Sequence, residues 1–282
     1  QNTLAEINFE YVKKHNIPVV RRLSGGGAVF HDLGNLNFTF IKKGNKEKLV
    51  DFRKYTQPIL DILKKLSINA KFQGRNDLTI KGKKFSGNAE HVYKNKILHH
   101  GTLLFSSVLP DLTNALKIKP EKYKDKSVKS VRSRVTNISE HLAEPMDIEK
   151  FMQMIIEHIN EMYEDAKPYV FSETDYQAIK RLVEEKYSTW DWNFGYSPDY
   201  NFQREIKTPA GYIEIKMQVS RGIIQKIKFY GDFFNTKDLD ILEQSLKGTE
   251  HREESIKNVL DRYNISDFFN NTTKHALLKA MF

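Results

Sequence analysis

RRLSGGGAVFHDLGNLNFTF, residues 21–40, sets two arginines ahead of three consecutive glycines and then runs into an alternating apolar stretch. Gly25, Gly26 and Gly27 lack a Cβ, so the backbone there can take positive φ and bring its N–H groups close to an anion. Arg21 and Arg22 supply charge beside it. Residues 36–41 alternate as a half-buried strand does, and 17–21 (IPVVR) form a short β-branched run. The glycine loop is therefore predicted to join two strands. A plain hairpin tip is the alternative, but it does not require three glycines between Arg22 and Phe30-His31. No Gly-Lys-Ser/Thr follows and the loop leads into a strand rather than a helix, so neither a P-loop nor a dinucleotide fingerprint is present.

Two later stretches extend the same theme. In GRNDLTIKGKKFSGNA (74–89), Lys83 and Lys84 lie between Gly82 and Gly87 on what reads as a short, backbone-rich segment. A lysine so presented can neutralise a phosphate oxygen; a surface turn with two solvated lysines is the plainer reading. Asn76 and Asp77 are ordinary turn formers, although Asp77 could also hold a divalent ion beside phosphates. HHGTLLF (99–105) reads as a strand. Adjacent strand residues face opposite ways, so His99 and His100 do not form a metal pair. His31-Asp32 is adjacent only in sequence and reads as structural.

Around these stretches, Phe52, Tyr55, Ile59, Ile62, Leu63 and Leu66 recur at helical spacing with Pro58 among them, and 78–80 and 97–105 are predicted strands. Phe151, Ile155, Ile156 and Ile159 mark a further helix. The pattern lapses near Pro168, which sets the predicted domain division: 1–168 a larger unit, 171–282 a smaller one. In the latter, 212–219 and 223–230 alternate about Arg221-Gly222 as a β-hairpin, with helices at 239–246 and 256–263. The aromatic cluster 190–202 reads as core. The chain opens at Gln1 in what looks like the continuation of an element, so further sequence is expected upstream.

Composition narrows the chemistry. The 282 residues contain no cysteine, which removes disulfides, thiolate metal sites and cysteine nucleophiles. A net charge of +9 favours anionic partners without choosing among them. No apolar run reaches membrane-spanning length and no signal segment opens the chain, so a soluble, cytoplasmic protein without a membrane or nucleic-acid partner is expected.

Together, RRLSGGGAVFHDLGNLNFTF, GRNDLTI, KKFSGNA, HHGTLLF and SVRSRVTNI, in this order and spacing, resemble the lipoate-protein ligase A family of the biotin/lipoate ligase superfamily. The likeness spans about 1–142, and the tail from about Phe171, with WDWNFGYSPDYNF, resembles that family's small accessory domain. It implies an α/β (α+β) fold: a mixed-sheet catalytic domain, normally preceded by a further strand and helix, then an α+β accessory domain. It implies two steps. Lipoate or octanoate and MgATP give an acyl-adenylate and pyrophosphate; a lysine of an acceptor lipoyl domain then attacks, as in 2-oxoacid dehydrogenase E2 subunits or the glycine cleavage H protein.

Residue by residue, the resemblance implies that Arg22, Gly27, Ala28, Val29, Phe30 and Lys84 contact the nucleotide. Arg21, Ser24, Gly25, Gly26, Gly27, His31, Lys84 and His100 would contact lipoate, with Lys84 as the catalytic amine between phosphate and acyl carbonyl. Asn76, Asp77 and His99 match motif positions without an assigned role, and metal ligands are undefined. Residues 123–131 would close over the adenylate and be poorly ordered without ligand. A monomer is expected. An ATP-independent octanoyl or lipoyl transferase is the alternative on this fold, but its cysteine thioester has no residue here. A biotin ligase would carry a GRGRxxR-like loop, and a basic nucleic-acid module would need a recognition motif that is absent.

Overall fold

The chain builds two sheets, each with its own apolar core, in a computed structural model that describes residues 1–44, 50–116, 123–125, 135–163, 165–209, 211–231 and 236–282. Two compact units result. One gathers Arg22–Asn114 and Ser130–Glu173; the other gathers Gln1–Arg21, Ala115–Lys129 and Thr174–Phe282. This differs from the expected division at 168/171, and the reason is packing. Leu4 belongs to the apolar cluster of the C-terminal unit, and Phe9 stacks on Phe282 with ring centroids 4.9 Å apart.

In the catalytic unit the described strands are β1 (Asn35–Lys43), β2 (Ala70–Gln73), β3 (Asp77–Ile80), β4 (Lys83–Tyr93) and β5 (Lys96–Leu104), in the antiparallel order β1-β5-β4-β3-β2. The helix Phe52–Lys65 starts where the Asp51 carboxylate accepts from the Lys54 N–H at 3.0 Å. It buries Tyr55, Ile59, Ile62 and Leu63, with Pro58 inside its length. The helix Ile148–Met162, capped by Asp147, adds Phe151 and Ile155. Both cover one face of the sheet, where Leu78, Ile80, Phe85, Leu103 and Phe105 are buried.

Two local expectations fail. Residues 17–21 are not a strand: Pro18 removes a donor, Val20 is largely exposed, and the run joins no strand ladder among the described residues before the glycine loop. KKFSGNA is not a turn but the start of an eleven-residue strand. The turn lies before it, at Lys81 and Gly82, whose φ values of 49° and 75° fit a two-residue hairpin connection.

In the accessory unit β6 (Tyr123–Asp125), β7 (Tyr200–Thr208), β8 (Gly211–Ser220) and β9 (Ile223–Gly231) form a sheet in that order. The hairpin at Arg221-Gly222 is as expected, with φ of 49° and 76°. Ile213, Ile215, Met217 and Val219 alternate into the core, covered by the helices Leu239–Leu246, Glu253–Leu260 and Lys274–Ala280. Of the residues expected to close over adenylate, 123–125 pair with β7 as β6; 126–131 lie outside the described residues. Among the described residues no helix is long and apolar enough to cross a membrane.

Candidate functional site

Strand parity divides the central residues of the catalytic sheet. His99 points to the helix-covered side and is fully buried; His100 points to the other. Following His100 across the register gives Thr39 on β1 and Ala89 on β4. One pair further along lie Asn37, Thr102, Gly87 and Asp77. This face is polar, with small residues at its middle, and is free of the covering helices.

Lys84 reaches over that middle. Its Nζ pairs with Asp77 Oδ1 at 2.7 Å, with both side chains about three-tenths exposed. A Cβ on Gly87 would stand 3.1 Å from both Cε and Nζ of Lys84, so Gly87 clears the space in which the amine lies. A register shift between Leu78 and Thr79 turns Lys84 opposite Thr79 rather than continuing the regular pairing. The same stretch is tied to the following chain, for the Lys84 carbonyl accepts from the Thr136 N–H at 3.0 Å.

The glycine loop is braced by Arg22. Its Nη2 donates to the carbonyls of Gly25 and Gly27 at 2.7 and 2.9 Å, and its Nε donates to Ser24 Oγ at 3.1 Å. Gly26 takes φ 100°, which a side chain would resist, and a Cβ there would meet the Arg22 guanidinium at 2.9 Å. Ser24 in turn bonds His100 Nε2. Burial pushes the His100 imidazole down to about 4, with the Arg22 charge acting in the same direction, so a neutral ring can accept from the Ser24 hydroxyl. His31 is lowered too, by burial and then by Arg22, and its Nδ1 lies 3.0 Å from Asn37 Nδ2. Arg22 and Lys84 therefore supply positive charge here, while the two histidines are neutral near pH 7. Ala28 and Phe30 are half-buried and Val29 is exposed along the loop's exit. Asp32 pins that exit, accepting from the Gly34 and Val108 N–H groups at 2.9 and 2.7 Å.

Three expected residues stand apart. Asn76 bonds the backbone of Asn88, donating to its carbonyl at 2.5 Å and accepting from its N–H at 3.0 Å, which staples the turn before β3 to β4. His99 pairs with Glu90 Oε1 at 2.8 Å under the sheet, among Phe38, Phe52 and Tyr55. Burial holds His99 down at about 4 and raises Glu90 to about 7. Arg21 lies in the accessory unit, where its side chain bonds Trp192, Asn193, Gln1, Thr3 and Ser197. Gly87 was read only as a glycine flanking the lysines, and Asn37 and Thr102 went unremarked in the sequence; counting parity outward from His100 would have found the latter two.

An antiparallel sheet, where a mixed one was expected, covered on one side and with a paired lysine and an arginine-braced triglycine loop on the other, defines a lipoyl-ligase type of catalytic domain. Residues 1–160 match the model of the lipoyl protein ligase A/B catalytic domain, and residues 197–281 that of the bacterial lipoate protein ligase C-terminus. The chain belongs to the lipoate-protein ligase family.

Lipoate-protein ligase 1 of Staphylococcus aureus is 44% identical over 281 residues, covering 100% of this chain and 85% of that protein. LplJ of Bacillus subtilis is 41% identical over 284 residues, covering 100% and 86%. Among solved structures, protein Ta0514 of Thermoplasma acidophilum with bound lipoic acid aligns with a TM-score of 0.59 at 27% identity, over 70% of this chain and 80% of that one. Lipoate-protein ligase A bound with ATP aligns at 0.58 and 27%, over 69% and 79%.

Proposed function

We propose that this ligase condenses lipoate or octanoate with ATP on the polar sheet face and passes the acyl group to a lysine of an acceptor lipoyl domain. The observation that carries this reading is the Lys84 amine held over Gly87 by Asp77, on the same face as the Arg22-braced glycine loop. In the first step a carboxylate oxygen of the acyl acid attacks the α-phosphorus and the bond to pyrophosphate breaks. No protein nucleophile is needed. The protein contributes position and positive charge, which is what the loop N–H groups, Arg22 and Lys84 offer. In the second step the acceptor amine attacks the acyl carbonyl, AMP departs, and Lys84 is suited to steady charge on the phosphate and carbonyl oxygens.

The residues Arg22, Gly27, Ala28, Val29, Phe30 and Lys84 are our assignment for the nucleotide, and Ser24, Gly25, Gly26, Gly27, His31, Lys84 and His100 for lipoate. Mg2+ commonly binds through one or two carboxylates together with substrate phosphates, and Asp77 fits that role as a partly exposed carboxylate beside the lysine amine. When bound, the ion would neutralise phosphate charge. The name of a solved archaeal relative pairs a bipartite ligase with its E2 lipoyl domain, which supports an acceptor of that kind here. With ATP as co-substrate, we assign the reaction to a monomer in the cytoplasm.

The test is incubation of the protein with lipoate, ATP and a purified lipoyl domain, followed by intact mass and pyrophosphate assay. Lipoate-dependent pyrophosphate release and one acyl addition to the lipoyl domain are expected. Acyl transfer from an acyl-carrier protein without ATP, with no pyrophosphate formed, would replace this reading with the transferase.

A further inference from the structure

Arg21 and Arg22 are neighbours in the chain that serve different units. The Arg22 guanidinium gathers the carbonyls of Gly25 and Gly27. That of Arg21 is spent within the accessory unit: Nε donates to the Trp192 carbonyl at 2.9 Å and Nη1 to the Gln1 carbonyl at 3.0 Å. Nη2 reaches Thr3 Oγ1 at 2.6 Å, Ser197 Oγ at 3.1 Å and the Asn193 carbonyl at 3.3 Å. The partners are carbonyls and hydroxyls, with no carboxylate among them. Such a set suits the planar five-donor fork of arginine and no other side chain.

The backbone of Arg21 is held as firmly. Its N–H donates to Asn193 Oδ1 at 2.8 Å, and its carbonyl accepts from the Trp192 indole N–H at 2.9 Å. Asn193 is itself buried and anchored, donating to the Tyr187 carbonyl at 2.8 Å, while its own carbonyl also accepts from Thr3 Oγ1 at 2.6 Å. The segment Asp191–Gly195 thus grips residue 21 on both sides of its Cα and through its side chain. Consecutive Cα atoms are a fixed ~3.8 Å apart and the planar 21–22 peptide is held through its carbonyl, so holding residue 21 restricts the entry of Arg22 into the loop that it braces.

We propose that Arg21 is a positioning residue for acyl-acid binding, acting through the covalent chain. It does not bind lipoate itself; it holds the residue that precedes the triglycine loop against the Trp192-Asn193 segment and so restricts where the loop starts. This inference rests on the ligase reading and assigns Arg21 differently from a direct contact with lipoate.

The test compares Arg21→Lys, Trp192→Phe and Asn193→Ala, with the double variants, in lipoate-dependent pyrophosphate exchange. Trp192→Phe is the gentlest, because it removes the bond to the Arg21 carbonyl and keeps an aromatic ring. Each single change is expected to raise KM for lipoate about three- to tenfold while kcat at saturation stays within about twofold, the pattern of lost ground-state positioning. Because the three act through one linkage, Arg21→Lys combined with Trp192→Phe or Asn193→Ala should be scarcely worse than Arg21→Lys alone. Amide hydrogen exchange over 22–30 should quicken in every single variant, and this second readout does not depend on turnover. Multiplicative KM effects, or a large effect of Arg21→Lys with none from Trp192→Phe and Asn193→Ala, would mean that Arg21 meets the substrate itself and would overturn the proposal. Unchanged exchange over 22–30 in all three would overturn it as well. A wild-type protein with no lipoate-dependent exchange would instead sink the ligase reading, leaving the hydrogen-exchange result to decide the tether.

Discussion

At the scale of single residues, Lys84 matters through where its charge is held. An exposed ion pair contributes little to stability, and Lys84 with Asp77 is mostly an arrangement that keeps an amine over a glycine. Removing the amine in Lys84→Ala is expected to lower adenylation at least about a hundredfold, in line with the loss of one preorganised donor. Pyrophosphate exchange at saturating ATP, with circular dichroism to check folding, is the measurement; wild-type turnover would take Lys84 out of the chemistry. Gly87→Ala asks a finer question. The added Cβ would sit 3.1 Å from Cε and Nζ, tight enough to push the amine aside by a few tenths of an ångström. A catalytic group displaced by 1 Å can cost about a hundredfold, so a smaller shift is expected to cost up to about tenfold in kcat with the unfolding midpoint unchanged. Sequence reading picked out Asp77, Arg22 and the glycines by residue type and setting, whereas Lys84 was told from Lys83 only through the family resemblance. It could not say that Arg22 would brace the loop's carbonyls or that Gly87 would house the lysine stem, because both depend on chains meeting across a register.

Elements were legible where burial imposes a simple period. The helix Phe52–Lys65 and the hairpin at Arg221-Gly222 follow from one-sided burial and from paired positive φ. β4 was misread because it is interior to its sheet yet buries Ser86 and Asn88, at 1% and 3% exposure, so its hydropathy does not resemble a strand. What holds it is fit rather than greasiness. Asn88 Nδ2 donates to the Asn76 carbonyl and to Ser86 Oγ at 3.0 and 3.2 Å, while across the pair Gly101 leaves room for the Asn88 amide and the Phe38 ring. Residues 17–21 erred the other way, with strand-like composition and no ladder to join. The tight fit at Gly101 can be tested: in Gly101→Ala the new Cβ would overlap the Asn88 amide oxygen and crowd the Phe38 ring at 2.5 Å. Overpacking of this kind typically costs about 1–3 kcal/mol. A fall in the urea midpoint with unchanged slope is expected, and a variant as stable as the parent would show that β4 and β5 separate easily.

At the scale of the whole molecule, the two units carry separate buried histidines, and one of them can be followed alone. Both tryptophans, Trp190 and Trp192, lie in the accessory unit, so their fluorescence reports its unfolding. In that unit His251 is 2% exposed, with Nδ1 at 2.5 Å from the Tyr200 hydroxyl and Nε2 at 2.6 Å from the Met281 carbonyl. The carbonyl can only accept, so Nε2 carries the proton and Nδ1 accepts from the hydroxyl; a second proton would break that pattern. Burial accordingly pushes the ring down to about 4 from an ordinary 6.5. The unfolded chain then binds more protons between pH 4 and 6.5, and stability of this unit must rise with pH through that window and be lost as pH falls through it. Asp240 and Asp261, lowered chiefly by hydrogen bonds from Lys228 and Lys274, act below the window. Glu90 has the opposite sign, since its raised value of about 7 contributes stability that is lost as pH climbs towards 7, but it lies in the catalytic unit. The urea midpoint by tryptophan fluorescence is therefore expected to fall from pH 7 to pH 4.5. His251→Gln, whose amide can still accept from Tyr200 and donate to Met281, should flatten that dependence, whereas an equally steep fall in the variant would assign the proton uptake to another group.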